Sequence, residues 1–352
     1  AIAYDYTYNL RCNRIIIEKN KFQLCGRSST SFSRSSILLD QAFSCTIEDN
    51  NLLQCNWGIS FAQPFTAPNP TEPFGYYNIV KGNRVSGSGK TGNPYSESQG
   101  ISAQSQRHLT IVNNIVEQFN GNGIDNQRCE QSTIQGNTVR DCYDGFFIGD
   151  MAFIGHNISG NNTVNCERGI RILNSGDGSF TGQAMRSSIV SNNSFVDSTL
   201  VGIYAYRTDT TGTMDCLIIS GNVVNNTTTR SNTANVAGIQ ATGLRYCQIN
   251  NNSVMNARGY AIIAENCLGT QFHDNVVNGY DFAALGRAAV YLDTNCVGVS
   301  VRNLTSIGPT TAGPAVYING TSNTAIGVRW RGPASGILNS GTTSQVSDNF
   351  VF

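Results

Sequence analysis

Short runs with apolar residues at alternate positions are separated by polar turns along the whole chain, and no window shows a helical period. "TIQGNTV" at 133–139 returns at 218–224 as "IISGNVV", each with an Asn that has an apolar residue three positions before it and another two after. The same arrangement stands in "IVNNIV" (111–116), "INNNSV" (249–254) and "FHDNVV" (272–277). Aligned on that Asn, the copies fall at Asn20, Asn50, Asn83, Asn114, Asn137, Asn162, Asn193, Asn222, Asn252, Asn275 and, more weakly, Asn303, with steps of 23 to 31 residues beyond Asn83. A fixed period of this size marks a solenoid or array. β-rich runs bounded by turn residues predict strands throughout. A second motif precedes each Asn: "GIDNQ" (123–127), "GFFIG" (145–149), "GIRIL" (169–173), "GIYAY" (202–206) and "GIQAT" (238–242), with later copies lacking the Gly, as in "YAIIA" (260–264).

Two or three strands per repeat with Asn at a fixed corner describe a parallel β-solenoid. Asn tolerates the left-handed backbone of a corner, and its amide can bond to the Asn above and below as a ladder. The expected class is all-β, a right-handed parallel β-helix of roughly ten to twelve coils. No linker divides it, so one domain is expected over 1–352, with a distinct C-terminal cap from about 326 left open. The chain opens in strand-like text ("YDYTYNL", then "RIIIEKNKF"), which suggests that residue 1 is a cut inside a longer protein.

Composition narrows the partners. Charged residues make up 13 % and 23 basic side chains balance 23 acidic ones, so the concentrated basic face that nucleic acid requires is absent. No apolar run approaches a membrane span. Lys occurs only at 19, 21, 81 and 90, so every later cationic side chain is Arg, the residue suited to bidentate gripping of carboxylates and hydroxyls. The 11 cysteines lack zinc-like spacing, and Cys142 and Cys166, each shortly after a repeated Asn, read as buried free thiols in a stack. No metal or other cofactor is expected.

These repeats resemble the right-handed parallel β-helix proteins of the pectate-lyase-like class over nearly the whole chain, through the motif x-ϕ-x-x-N-x-V. Within that class, the lack of a signal peptide, the thiols, the apparent cut and the Asn/Gly/Ser-rich coils look most like a bacteriophage tailspike. That resemblance implies a homotrimer that binds and cleaves a bacterial cell-surface polysaccharide, placed in the virion tail after synthesis in the host cytoplasm. A secreted enzyme is the other location it allows.

Coil lengths say where a site would lie. "NSGDGSFTGQAMRSS" (174–188) and "RTDTTGTMDC" (207–216) both follow the Gly-motif strand on consecutive coils, and insertions on a solenoid map to loops on a binding face. They should wall a groove over that strand's outer face. Alternation puts Ile170 and Ile172 inside and Arg171 outside. The same count sets Asp125, Phe147, Arg171, Tyr204, Tyr206, Gln240, Glu265, Tyr291 and Asp293 outside, with Arg207 beside them. Aromatics, arginine, amides and acids on one strip suit stacking on sugar rings and bonding to hydroxyls.

For cleavage the candidates are Asp150, Asp177 and Asp209, at the strand end on three successive coils. Rungs lie ~4.8 Å apart, so adjacent acids approach the ~5–5.5 Å of retaining glycosidases and alternate ones the wide limit of inverting enzymes. Two close carboxylates raise one pKa, as a general acid requires. Asp is also a common turn residue. A lyase or epimerase would need a base from Arg171, Arg207, Tyr204 or Tyr206, since no Lys is available there. Hydrolysis is the favoured reading; a lyase or epimerase, or a non-enzymatic glycan-binding or structural β-helix, are its alternatives. His273 lies on the Asn-bearing strand, away from the proposed groove, and reads as structural, while His108 and His156 have no identifiable triad partner nearby.

Overall fold

A computed structural model describes residues 12–23, 35–62, 75–89, 98–149, 155–174, 184–207, 213–227, 236–281, 286–309, 312–332 and 336–352. These residues form three long parallel sheets, of twelve strands in the first and thirteen each in the second and third. The chain is a right-handed parallel β-helix, the hand that parallel crossovers nearly always take. Among the described residues the twelve to thirteen rungs agree with the roughly ten to twelve coils expected from the repeat. From about 326, where a separate cap was left open, Arg329–Arg331, Ile337–Asn339 and Gln345–Ser347 still pair in the three sheets.

One coil shows how sequence makes the shape. Ile124–Gln127 lies in the first sheet, Thr133–Gln135 in the second and Thr138–Arg140 in the third. Between them, Arg128, Gln131, Gly136 and Asp141 take left-handed φ of 56°, 52°, 65° and 55°. Each is followed by an inward, buried residue: Cys129, Ser132, Asn137 and Cys142. A single left-handed residue turns the chain sharply, and Asn, Asp and Gly adopt it most readily.

The inward positions stack by type. Ile134, Ile158, Val190, Ile219 and Ile249 line the second sheet in register, and Val116, Val139, Thr163, Phe195, Val224 and Val254 line the third, with Thr163 the one polar member. The apolar members join one continuous core. Burying an aliphatic side chain contributes about 1.5–3 kcal/mol, repeated on every rung. The thiols belong to this core: nine described cysteines are buried and Cys216 alone is exposed.

The repeated Asn forms the expected ladder, with two corrections. It runs Asn20, Asn50, Asn83, Asn114, Asn137, Asn161, Asn193, Asn222, Asn252 and Asn275, each Nδ2 donating to the next Oδ1 at 2.9–3.1 Å. Asn161, not Asn162, is the rung in "ISGNNTV". Ile158 stands three before Asn161, but the residue two after it is the buried Thr163, so the apolar Val164 drew the alignment one position along. Asn303 is exposed and outside the ladder, since the buried Leu304 follows Asn275 in the stack. The left-handed corner also belongs to the residue before the ladder Asn, as at Asn113, Asn192, Asn251 and Asp274.

The Gly column before the first-sheet strands has a steric cause. A Cβ on Gly169 would stand 2.5 Å from the carbonyl oxygen of Gly202, and one on Gly202 2.9 Å from that of Gly238. Coils pass too closely here for a side chain.

Asn193 donates from Nδ2 to Ile158 O and Asn222 Oδ1, and its Oδ1 accepts from the N–H and Nδ2 of Asn161. Asn193→Ala therefore leaves several buried polar groups unpaired and is expected to cost about 3–5 kcal/mol in chemical denaturation, whereas Asn303→Gly costs less than about 1 kcal/mol.

His156 occupies the other corner of the second sheet, in the slot that Ser132 and Ser188 hold on neighbouring rungs. Burial pushes its imidazole down from 6.5 to about 4. The unfolded chain binds the proton that the folded state refuses, so stability is complete above about pH 6.5 and declines as pH falls toward 4, by about 1.4 kcal/mol per pH unit. In His156→Ser that decline should vanish from urea titrations across the window.

Candidate functional site

The outer face of the first sheet carries two columns of side chains fixed by strand register. One reads Ser102, Asp125, Phe147, Arg171, Tyr204, Gln240, Ile263, Tyr291 and Tyr317. The other, two residues further along each strand, reads Gln127, Gly149, Leu173, Tyr206, Thr242 and Glu265. The single outward strip read from the sequence is thus two. Ile263 takes the slot after Gln240 and Glu265 lies beside it, because the Gly is missing from "YAIIA" and the count from it slips.

Burial sorts these residues. Asp125 is 0 % exposed, with Oδ2 accepting from Asn122 Nδ2 at 3.2 Å and Gln127 Nε2 at 3.1 Å. Phe147 and Gln240 are also buried, so all three act beneath the surface. Arg171, Tyr204, Tyr206, Glu265 and Tyr291 are half-buried and reach solvent. Asp293 sits past its strand end, with Oδ1 accepting from the N–H groups of Asn266 and Asn295 at 3.0 Å; this is a turn role. Arg207 pairs in register with Asn174 and lies against Gly243 of the next coil, outside both columns.

At the centre stands a charge cluster that the sequence did not reveal. Asp144 is fully buried, 2.9 Å from Arg168 Nη1 through Oδ1 and 2.7 Å from Arg171 Nε through Oδ2. The Arg171 guanidinium lies 4.2 Å over the Phe147 ring and that of Arg168 4.9 Å over Tyr143. Such contacts hold a guanidinium flat and in place. Two arginines against one carboxylate leave the cluster net positive, and the two Nη groups of Arg171 make no hydrogen bond among the described residues. They form an open fork for an anionic or hydroxylic acceptor.

Beside it, the rings of Tyr204 and Tyr206 stack at 4.2 Å and 10°. Burial pushes the Tyr204 hydroxyl up, Tyr206 and Glu265 add to this, and Arg168 and Arg171 oppose it. Tyr204 therefore stays protonated at neutral pH, a donor and not a base. On the next rungs Glu265 Oε2 accepts from Gln240 Nε2 at 3.1 Å and Thr242 Oγ1 at 2.9 Å, which orients its carboxylate. The face thus offers an arginine fork, an aromatic pair, a protonated phenol and a held carboxylate within four rungs.

Asp150, Asp177 and Asp209 lie outside the described residues. The strands preceding them end at Gly149, Asn174 and Arg207; Gly149 pairs in register with Leu173, and Asn174 with Arg207. The described ends of the two insertions also pair, Ala184–Arg186 with Thr213–Asp215, and the latter with Leu244–Arg245. Asp144 and Arg168 were missed because alternation was counted from the Gly onward. Both precede it, where Gly145 breaks the alternation.

The sequence pattern of the NosD family, described as periplasmic copper-binding protein, matches residues 91–199, less than half of the chain. In that span His108 stacks on Tyr77 and His156 is buried at a corner, and among the described residues no three His, Cys, Asp or Glu side chains group as a metal would need. The described residues of that span do not fit a copper site. No curated protein sequence matches the chain. Among solved structures, the Azotobacter vinelandii mannuronan C-5 epimerase AlgE6 A-module shares 14% identity at a TM-score of 0.65, covering 96% of this chain and 91% of its own. The N-terminal fragment of bacteriophage phi29 gene product 12 shares 12% identity at 0.66, with 93% of this chain matched to 58% of that one. The Siphovirus 9NA tailspike receptor binding domain shares 12% at 0.52, covering 94% and 72%. At these identities the likeness is one of fold.

Asp144→Ala strands two partly buried guanidinium groups. It is expected to lower stability by about 3 kcal/mol in urea unfolding and to release Arg171 from its position over Phe147.

Proposed function

We propose that the protein is a tailspike-type β-helix that binds a bacterial surface polysaccharide, capsule or O-antigen, along the outer face of the first sheet and depolymerises it by glycoside hydrolysis. The observation that carries this reading is the open arginine fork of Arg171 beside the stacked Tyr204 and Tyr206, with Glu265 held on the same face. Tyrosine rings take the apolar face of a pyranose, the fork takes hydroxyl or carboxylate oxygens, and Glu265 accepts from hydroxyls. The hydrolytic pair is drawn from Asp150, Asp177 and Asp209, one as general acid and one as base or nucleophile. In the sequence each follows a first-sheet strand, and those three strands lie on successive rungs. The tailspike setting, a homotrimer in the virion tail, draws on the fold shared with phage tail proteins.

A second reading, β-elimination or C5 epimerisation of an acidic glycan, is favoured by the net positive Asp144 cluster and by the fold shared with the epimerase module. Both reactions require a base. The raised Tyr204 hydroxyl speaks against that residue as the base, and Tyr206, Arg171 and Arg207 are the other candidates for it.

The test is incubation with purified capsular polysaccharides and lipopolysaccharides, following reducing ends and ultraviolet absorbance together. Hydrolysis is expected, giving reducing ends without absorbance. Absorbance would show elimination, and sugar inversion by nuclear magnetic resonance without chain cleavage would show epimerisation. On the active glycan, Asp→Asn at the catalytic positions among 150, 177 and 209 should lower kcat at least about a hundredfold. Arg171→Lys keeps the charge facing Asp144 but removes the fork, and should raise KM about tenfold.

A further inference from the structure

The outer face of the first sheet carries a second aromatic cluster toward the C-terminal end. Tyr291 and Tyr317 occupy the same outward slot as Tyr204, and Tyr260 lies in the neighbouring slot, in register with Ala237, Val201 and Arg168. The Tyr260 and Tyr291 rings are 5.2 Å apart at 39°, and those of Tyr291 and Tyr317 5.5 Å apart at 67°. The Arg287 guanidinium lies 5.0 Å over the Tyr260 ring and donates from Nη1 to its hydroxyl at 2.8 Å. Its own backbone N–H donates to Oδ2 of the buried Asp281 at 2.9 Å. All three tyrosines and Arg287 are half-buried, so each keeps a solvent-facing part.

The inclined rings pack at ordinary aromatic angles, and each of the three tyrosines keeps part of its surface in solvent on this outer face. The two clusters are separated in the same column by Gln240 and Ile263, which are 7 % and 1 % exposed and present almost nothing to solvent. At one rung per ~4.8 Å, Tyr204 and Tyr291 stand about 14 Å apart and Tyr204 and Tyr317 about 19 Å apart along the solenoid axis. That span exceeds a disaccharide and suits an internal stretch of a longer glycan.

We propose that Tyr260, Tyr291 and Tyr317, with Arg287, form a distal subsite for the same polysaccharide that the Arg171 and Tyr204 cluster engages, an inference that rests on the sugar-binding reading above. The rings take the apolar faces of sugar units, and the guanidinium takes their hydroxyl or carboxylate oxygens. Two anchors joined by a covalent chain act as a bivalent pair, in which holding at one raises the effective concentration at the other. The protein therefore grips long chains internally, and its affinity rises once a chain reaches both clusters.

The experiment uses the full chain and whichever purified capsular polysaccharide or lipopolysaccharide it binds, together with a size-fractionated ladder of oligosaccharides from that polymer. Binding is measured for the wild type, for Tyr204→Ala and for the double variant Tyr291→Ala/Tyr317→Ala, with Tyr291→Phe/Tyr317→Phe as the ring-preserving control and thermal unfolding to verify folding. The double alanine variant is expected to bind the long polymer about tenfold more weakly, to match the wild type on the shortest fragments that bind, and to be restored by the phenylalanine variant. Tyr204→Ala should weaken binding at every length. Unchanged affinity of the double alanine variant for long chains overturns the distal subsite while leaving the primary site standing. An equal loss at every length also overturns it, since the tyrosines would then belong to a single centre. Failure of the wild type to bind any glycan removes both readings together.

Discussion

The architecture depends on one repeated hydrogen-bond exchange, that of the buried ladder Asn. Each amide oxygen accepts from both the side-chain and the backbone nitrogen of the previous rung, and each Nδ2 also donates to a main-chain carbonyl. At a sharp corner closed to water, these groups have no other partner, and an unmatched one is expensive. A coil that slipped by a single residue would bury a mismatched amide and turn its apolar triplet outward. The ladder thus fixes the register of the second and third sheets, and the close Gly column fixes that of the first. Where the Asn column gives way to Leu304 and Val328, apolar packing carries the corner instead.

Fixed register is what lets a solenoid build a site. Residues far apart in the chain become neighbours one rung apart, so Arg171, Tyr204 and Gln240 form a line without a loop to position them. Local supports then lock individual groups. Phe147 lies beneath the Arg171 guanidinium and Asp144 holds its Nε, while Gln240 and Thr242 aim the Glu265 carboxylate. Several outward residues that look like ligand contacts in one dimension serve as this underlying layer. Asp125 and Gln240 are buried by their neighbours and shape the face without touching solvent.

The same geometry explains the protonation of the face. Tyr204 is half-buried beside a second phenol and a carboxylate, and the two arginines only partly offset them. A phenol so placed keeps its proton and donates. Asp144, between two guanidinium groups, serves to compensate and position charge.

The repeat was legible in the sequence because strand alternation and the ladder Asn are local and recur: solenoid class, strand identity, the inward Ile170 and Ile172 around Arg171, and the buried thiols all follow from neighbours within a few residues. Errors arose where a local rule had two solutions. Asn161 and Asn162 differ only in whether a buried Thr163 is accepted in an apolar slot, and the loss of Gly from "YAIIA" shifted the count that set Glu265 in the place of Ile263. The Asp144, Arg168 and Arg171 cluster, the tilt of Tyr260, Tyr291 and Tyr317, and the burial that separates supporting residues from exposed ones were decided by tertiary structure alone. Their cause is the distance and angle between side chains on different rungs, and spacing along a chain carries no record of which neighbour covers which.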